Sequence, residues 1–282
     1  MLARIFPKFG FAIARLVTAA FALVSFAWLI GAVPVISSQA AISDIATHIL
    51  AGETYRPDAM EALTAAINQE QRAAGRGSYL NRVAVIRLRN AENAIKAGGQ
   101  GAIDETMALL RKAVDQSLAN SPDDAFLWMV RFWTEDKTRG VTPAQLNLLR
   151  MSYKTGPREG WIAAKRNGLA LAVFAQLPPD LAERVAAEFT GLVSSGFYGE
   201  AVDIIAGPGW TMRKQLLARL ADVKERDRRQ FARVLYGRDV EDVVVPGIEP
   251  PPPRPFRLQG KESGLVRDGT LRASLRLSAL AE

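Results

Sequence analysis

Cysteine is absent from this 282-residue chain, and histidine occurs once, at His48. Without cysteine there is no disulfide and no thiolate metal site. A single histidine leaves neither a zinc ligand set nor a Cys-His pair to assemble. Zero cysteine fits a reducing or an oxidising compartment equally. Strand patterning is missing too: Val243-Val244-Val245 comes nearest, but it is short and runs into Pro246. The net charge of +7 is spread along the chain, with no basic stripe interleaved with aromatics, and this sets nucleic acid aside. Such a charge suits a face for anionic glycans or lipid headgroups, or else ordinary solvated helix faces; its dispersion favours the second.

What the chain does have begins with Leu16–Ile36, 21 residues without a charge, preceded by Arg4, Lys8 and Arg15. That length matches the roughly 20 apolar residues a helix needs to cross a bilayer. A cleaved secretory signal is the alternative, with Ser38-Gln39-Ala40 as its cleavage site, but signal cores run only about 7–15 residues. We therefore expect an uncleaved transmembrane helix. Basic residues before the run, against Asp44 and Glu53 after it, place the N-terminus in the cytoplasm. The expected organisation is a cytoplasmic stub (1–15), a membrane helix (16–36), an exported helical domain (41–245) and a Pro-rich tail (246–282). In a Gram-negative cell the exported part is periplasmic.

Beyond the anchor the punctuation is helical. Proline stands where first turns would begin, at Pro57, Pro122, Pro143, Pro157 and Pro179, often beside an acid that meets the positive end of the helix dipole. Glycine closes segments at Gly52, Gly75, Gly98, Gly140, Gly196 and Gly237. Between these marks apolar residues recur at helical spacing: Met60, Leu63 and Ile67; Leu80, Ala84, Leu88, Ala91 and Ile95; Ile103, Met107, Leu110 and Val114. Leu181, Val185, Phe189 and Leu192 follow, then Leu216, Leu220, Val223, Phe231 and Val234. The expected fold class is all-α, an antiparallel array of eight or nine helices with short connections. Phe126, Trp128, Phe132 and Trp133 belong to its core. From Pro246 the prolines of PGIEPPPPRPF deny helix and ladder bonds, so the tail is expected to be extended and then disordered.

Few residues suggest chemistry. His48 reads as a juxtamembrane structural histidine. Ala97-Gly98-Gly99-Gln100-Gly101 lacks the Lys-Ser/Thr of a phosphate loop and reads as a helix stop and restart. Glu262-Ser263 stands in the Pro-rich tail, where no apolar helix would raise a catalytic carboxyl. The densest segment is Ser152–Leu171, where Tyr153, Lys154, Glu159, Trp161, Lys165, Arg166 and Asn167 crowd a helix start. Rings there can stack on sugar or peptide faces while Arg166 and Lys165 hold carboxylate or phosphate. Trp161 can equally fill the gap between neighbouring helices, with the cations at the surface. No catalytic residue, metal or cofactor is expected.

The segment Ala102–Trp128 resembles the second helix of a tetratricopeptide unit running into the first helix of the next. Pro122 stands six residues before Trp128, and Pro157 recurs 35 residues after Pro122, close to the 34-residue period. Trp161 follows Pro157 by only four residues, and Leu110 occupies a position that the family keeps small. A second resemblance is carried by Ser152-Tyr153, Pro157, Glu159-Gly160-Trp161-Ile162 and Arg166-Asn167, with PDDAFLWMVRFW upstream and VPG downstream. Over about residues 102–200 the chain looks like bitopic helical proteins of bacterial surface-polysaccharide loci. This resemblance implies an accessory role in making, assembling or exporting polysaccharide, and no reaction. The expectation is a non-enzymatic scaffold or binding subunit at the inner membrane, with envelope proteins, polysaccharide machinery or an anionic glycan as partners. The alternatives are a periplasmic chaperone or secretion-associated protein, and a glycan-active enzyme using carboxylates such as Glu159 or Glu188.

Overall fold

A computed structural model of the chain describes residues 15, 17–28, 42–50, 53, 55, 59–60, 63–65, 67, 77–238, 240 and 242–250. Two compact units are distinguished, Met1–Thr47 and His48–Glu282. The expected boundary near residue 36, Ser38-Gln39-Ala40, Glu262-Ser263 and the tail beyond residue 250 lie outside the described residues.

In the first unit, residues 17–28 are helical and every one of them is exposed. Val17, Phe21, Leu23, Val24, Phe26 and Trp28 present an exposed apolar surface that no described residue buries. No helix among the described residues is long and apolar enough to cross a membrane. Only these 12 residues of the 16–36 run are described together.

The second unit is all-α, with no strand among its described residues. Counted from Gly77, its α-helices are α1 (Gly77–Ala97), α2 (Gln100–Asn120), α3 (Ala125–Arg139), α4 (Pro143–Thr155), α5 (Gly160–Ala172), α6 (Pro179–Ser194), α7 (Tyr198–Ala206), α8 (Arg213–Ala218) and α9 (Glu225–Gly237). Helices α1 and α2, α3 and α4, and α5 and α6 pack as hairpins. Each odd-numbered helix from α1 to α9, apart from α7's short neighbour α8, also touches the next odd one: α1 to α3, α3 to α5, α5 to α7 and α7 to α9.

The apolar stripes bury as their spacing implies. Leu181, Val185, Phe189 and Leu192 of α6 are all interior, and Phe189 meets Phe231 of α9 edge-to-face at 6.2 Å. The stripe from Leu216 to Val234 is divided among α8, a 3₁₀ turn at Arg219–Asp222 and α9, because Val223 is extended. Helix starts depart from the proline rule at two places. Pro143 and Pro179 open α4 and α6, but Pro122 and Pro157 lie in the turns ahead of α3 and α5. There the acid takes the capping position instead: Asp124 accepts from the Leu127 amide at 3.0 Å, and Glu159 precedes α5. Gly98 and Gly140 do close α1 and α3 in the left-handed region, whereas Gly237 is the last helical residue of α9 and Arg238 caps it. Trp128 is also not core. It is half-exposed, and its indole Nε1 donates to the Pro122 carbonyl at 2.8 Å, while Phe126, Phe132 and Trp133 are buried.

Candidate functional site

The turn between α4 and α5 positions the residues singled out by sequence, and it separates them. Lys154, Glu159 and Trp161 are exposed, whereas Tyr153, Lys165, Arg166 and Asn167 are buried. The expectation of one seven-residue ligand surface is therefore corrected. Lys165, Arg166 and Asn167 face the interior because α5 is pressed between α3, α6 and α7, and Tyr153 of α4 meets them there through Glu188 and Arg166.

Arg166 is the centre of the buried set. Its guanidinium donates from Nη1 to the Ser152 carbonyl (2.6 Å) and to Ser152 Oγ (3.1 Å). Nη2 donates to the Gly156 carbonyl (3.1 Å) and to Glu188 Oε1 (2.6 Å), and Nε donates to the same oxygen at 3.0 Å. All five donors are thereby used. Two of the acceptors are carbonyls at the C-terminal end of α4, those of Ser152, which also accepts the Gly156 amide at 3.1 Å, and of the capping residue Gly156, so Arg166 serves as that helix's C-terminal cation. The guanidinium also lies 4.0 Å from the Tyr153 ring centroid, and Ser152 Oγ passes the network on to the Ala125 carbonyl at 2.8 Å.

Glu188 of α6 receives the other side. Tyr153 donates its hydroxyl to Oε2 at 2.7 Å, and Asn167 Nδ2 reaches Oε2 at 3.4 Å and the Val185 carbonyl at 2.8 Å. With the two Arg166 bonds on Oε1, the carboxylate's roughly four acceptor positions are occupied. Burial pushes the Glu188 carboxyl up from its ordinary value, against the pull of Arg166, Tyr153 and Asn167. Burial, together with Glu188, drives the Tyr153 hydroxyl well above its own value. A carboxylate with every acceptor position taken is built to hold helices in register, and it has none left over for a substrate proton.

The glycines of the same segment are steric. A Cβ on Gly156 would collide with the Ala125 Cβ, and one on Gly160 would stand 2.5 Å from the Phe197 ring. Ser152-Tyr153, Gly156, Gly160 and Arg166-Asn167 thus mark a joint at which α4, α5 and α6 meet.

Two polar atoms of this interior stay unpaired among the described residues, Asn167 Oδ1 and the buried Lys165 ammonium. Burial pulls the ammonium pKa down to about 8, with Glu92 opposing the drop and Arg89 adding to it. On the outer side Trp161 remains 38% exposed and stacks on Phe126, with ring centroids 5.3 Å apart. His48 pairs with Glu53 at 2.8 Å, and both are exposed. Among the described residues no three of His, Asp and Glu gather as a metal-ligand set.

A second polar surface was not singled out by sequence. Arg226, Arg229 and Arg233 of α9 line an open cleft of about 420 Å³ together with Glu225 and Gln230. Spacings of three and four residues put these arginines within about 60° of one another around the helix. That periodicity was the available signal, and even dispersal of charge along the chain concealed it. No family model, curated protein or solved structure matches this chain.

Proposed function

We propose that this chain is a non-enzymatic, membrane-tethered binding or scaffold subunit. It sits in the inner membrane with its N-terminus cytoplasmic and its helical body exported, as an accessory to envelope polysaccharide synthesis, assembly or export. The observation that carries this reading is the exposed helix at residues 17–28. Twelve consecutive residues without one buried position, bearing six large uncovered apolar side chains, form a surface that water penalises and a bilayer accommodates. The charge-free run around them is long enough to span.

The body's packing supports a tetratricopeptide-like solenoid as the binding element. Hairpins α1–α2, α3–α4 and α5–α6, with odd helices touching in succession, are the relations that stacked helical hairpins make. The Trp128–Pro122 bond gives the six-residue Pro–Trp spacing a physical reason. Trp161, held on Phe126 with an open face and flanked in sequence by Lys154 and Glu159, is the contact we assign to a partner protein or an anionic glycan.

The test replaces Trp161 with a photo-crosslinking residue in the full chain and irradiates intact cells. The expected products join this protein to a component of the polysaccharide machinery or to envelope glycan. Capture of neither, with the chain present at its normal level, would overturn the assignment.

A further inference from the structure

Several arginines elsewhere in the helical body join separate elements, although Arg89 and Arg139 pair within their own helices. Arg150 bonds Asp180 in a two-point pair at 2.6 and 3.0 Å, Arg219 pairs with Glu183, Arg238 with Asp203, Arg131 with Asp115 at 2.6 Å, and Arg166 with Glu188. Among the described residues, the three arginines on the outer face of α9 pair only within their own helix. Arg229 pairs with Glu225, Arg233 Nη1 donates to Gln230 Oε1 at 3.0 Å, and Arg226 Nε lies 3.2 Å from Asp227. Asp227 is itself buried and already receives the Tyr198 hydroxyl at 3.1 Å. The side chains of Arg226 and Arg229 are 83% and 66% exposed. Residues 224–238 hold six cations (Lys224, Arg226, Arg228, Arg229, Arg233 and Arg238) against two acids, a local net of +4. The opposite face of α9 is fixed by Phe231, Ala232 and Leu235, so the arginine face is presented rigidly outward.

We propose that this face docks on the anionic phosphate headgroups of the bilayer that tethers the chain, an inference that rests on the tether proposed above. Guanidinium forks match phosphate oxygens two at a time, and three forks along two turns of one rigid helix can engage neighbouring headgroups together. The 20 residue steps from Trp28 to His48, where the second unit begins, extend at most about 70 Å, so a membrane-held first unit limits how far the body can lie from the bilayer. A tether of that length converts weak headgroup contacts into intramolecular ones. Docking presents the body to its partners in a fixed attitude to the bilayer.

The absence of cysteine makes the test direct. Gly237→Cys creates a single thiol on the same face as Arg226, Arg229 and Arg233, and a Cβ there meets nothing within 4 Å. The full chain, labelled at that thiol, is reconstituted in vesicles of phosphatidylcholine alone and of phosphatidylcholine with phosphatidylglycerol. Quenching by a headgroup-labelled lipid is then measured. Strong quenching is expected only with phosphatidylglycerol, fading as salt is raised. In R226Q/R229Q/R233Q the docked-to-free ratio should fall by roughly 100-fold, from the usual gain per surface cation near an anionic membrane. Equal quenching in the two vesicle types, or quenching unchanged in the triple variant, overturns the proposal. So does a label response to soluble alginate that exceeds the response to phosphatidylglycerol, which would assign the face to an acidic glycan. Retention on vesicles through alkaline carbonate reads the tether separately. Extraction there with phosphatidylglycerol-dependent quenching intact would retire the tether and keep the headgroup site, whereas retention without quenching would do the reverse.

Discussion

Arg166 and Arg229 are the same residue type on helices of one body, and they do opposite things. Arg166 is fully enclosed, spends every donor and makes three helices share one charge. Arg229 stands in solvent with a partner four residues back on its own helix. In the interior the guanidinium organises the fold, and its removal should be felt by the whole domain. On α9 the guanidinium is free to serve something outside the chain. Net charge alone cannot separate these two uses, which is why an arginine-rich composition says little until burial is known.

The sharpest way to break this contrast is to remove Arg166. Arg166→Met leaves Glu188 buried without its counter-charge and removes the guanidinium donors to the Ser152 and Gly156 carbonyls. Breaking one side of such a pair costs about 3–5 kcal/mol, read as a fall in the urea midpoint at pH 7. The double variant R166M/E188M should regain much of that loss, because no buried charge is stranded. A single variant as stable as the parent would show that the network contributes nothing.

Lys165, the neighbour of Arg166, tests the same interior from the unpaired side. Its folded pKa of about 8 lies below the ordinary 10.5, so burial disfavours its charge. Between those values the unfolded chain binds more protons than the folded one, and this group's contribution to stability therefore rises with pH from about 8 to 10.5. At pH 7 it is charged in both states and the penalty is complete. Lys165→Met should stabilise the domain by about 1–3 kcal/mol at pH 7. The advantage should shrink steadily when thermal melts are repeated through pH 10. An advantage independent of pH would refute the charge argument and point to packing alone.

How much of this could be read from sequence differs by element. The helices were legible, because stripes such as Leu181, Val185, Phe189 and Leu192 need only a 3.6-residue period and one buried side. The segment around Ser152–Asn167 was legible as unusual but not as interior. Tyr, Arg and Asn in a row look like surface chemistry unless Glu188, over 20 residues further on, is known to face them. Trp128 misled in the other direction: its ring type suggested core, while its indole nitrogen is committed to the turn that begins α3. Pro122 and Pro157 lie in the turns ahead of α3 and α5, where the N-cap positions are held by Asp124, which accepts from the Leu127 amide, and by Glu159, whose side chain makes no capping bond. Apart from Pro157, each departure is a tertiary or capping contact overriding a local rule.

Asp124 gives a smaller effect that sits between the two arginine regimes, since its carboxyl is half-buried and both caps α3 and accepts from Asn81 of α1. Burial raises this carboxyl from its ordinary value, although the amides of Leu127 and Phe126 favour the charged form. Asp124→Ala should cost about 1–2 kcal/mol, and Asp124→Asn far less, because asparagine caps about as well as aspartate. Chemical denaturation of the two variants side by side checks this. An equal loss in both would mean that the charge, and not the cap, is what α3 requires.

The smallest expected change in stability is the one on which the exposed side of the comparison depends. R226Q/R229Q/R233Q removes three guanidinia that bond only within α9, and exposed ion pairs of this kind contribute little. The loss of like-charge crowding along one helix face offsets part of what the Glu225 pair supplied. We expect the denaturation midpoint to shift by no more than about 0.5 kcal/mol in stability. The same three changes should abolish membrane-dependent quenching at residue 237. A large loss of stability would place these arginines with Arg166 as structural. An unmoved midpoint together with lost docking would mean that the fold is indifferent to them and that their role lies outside it.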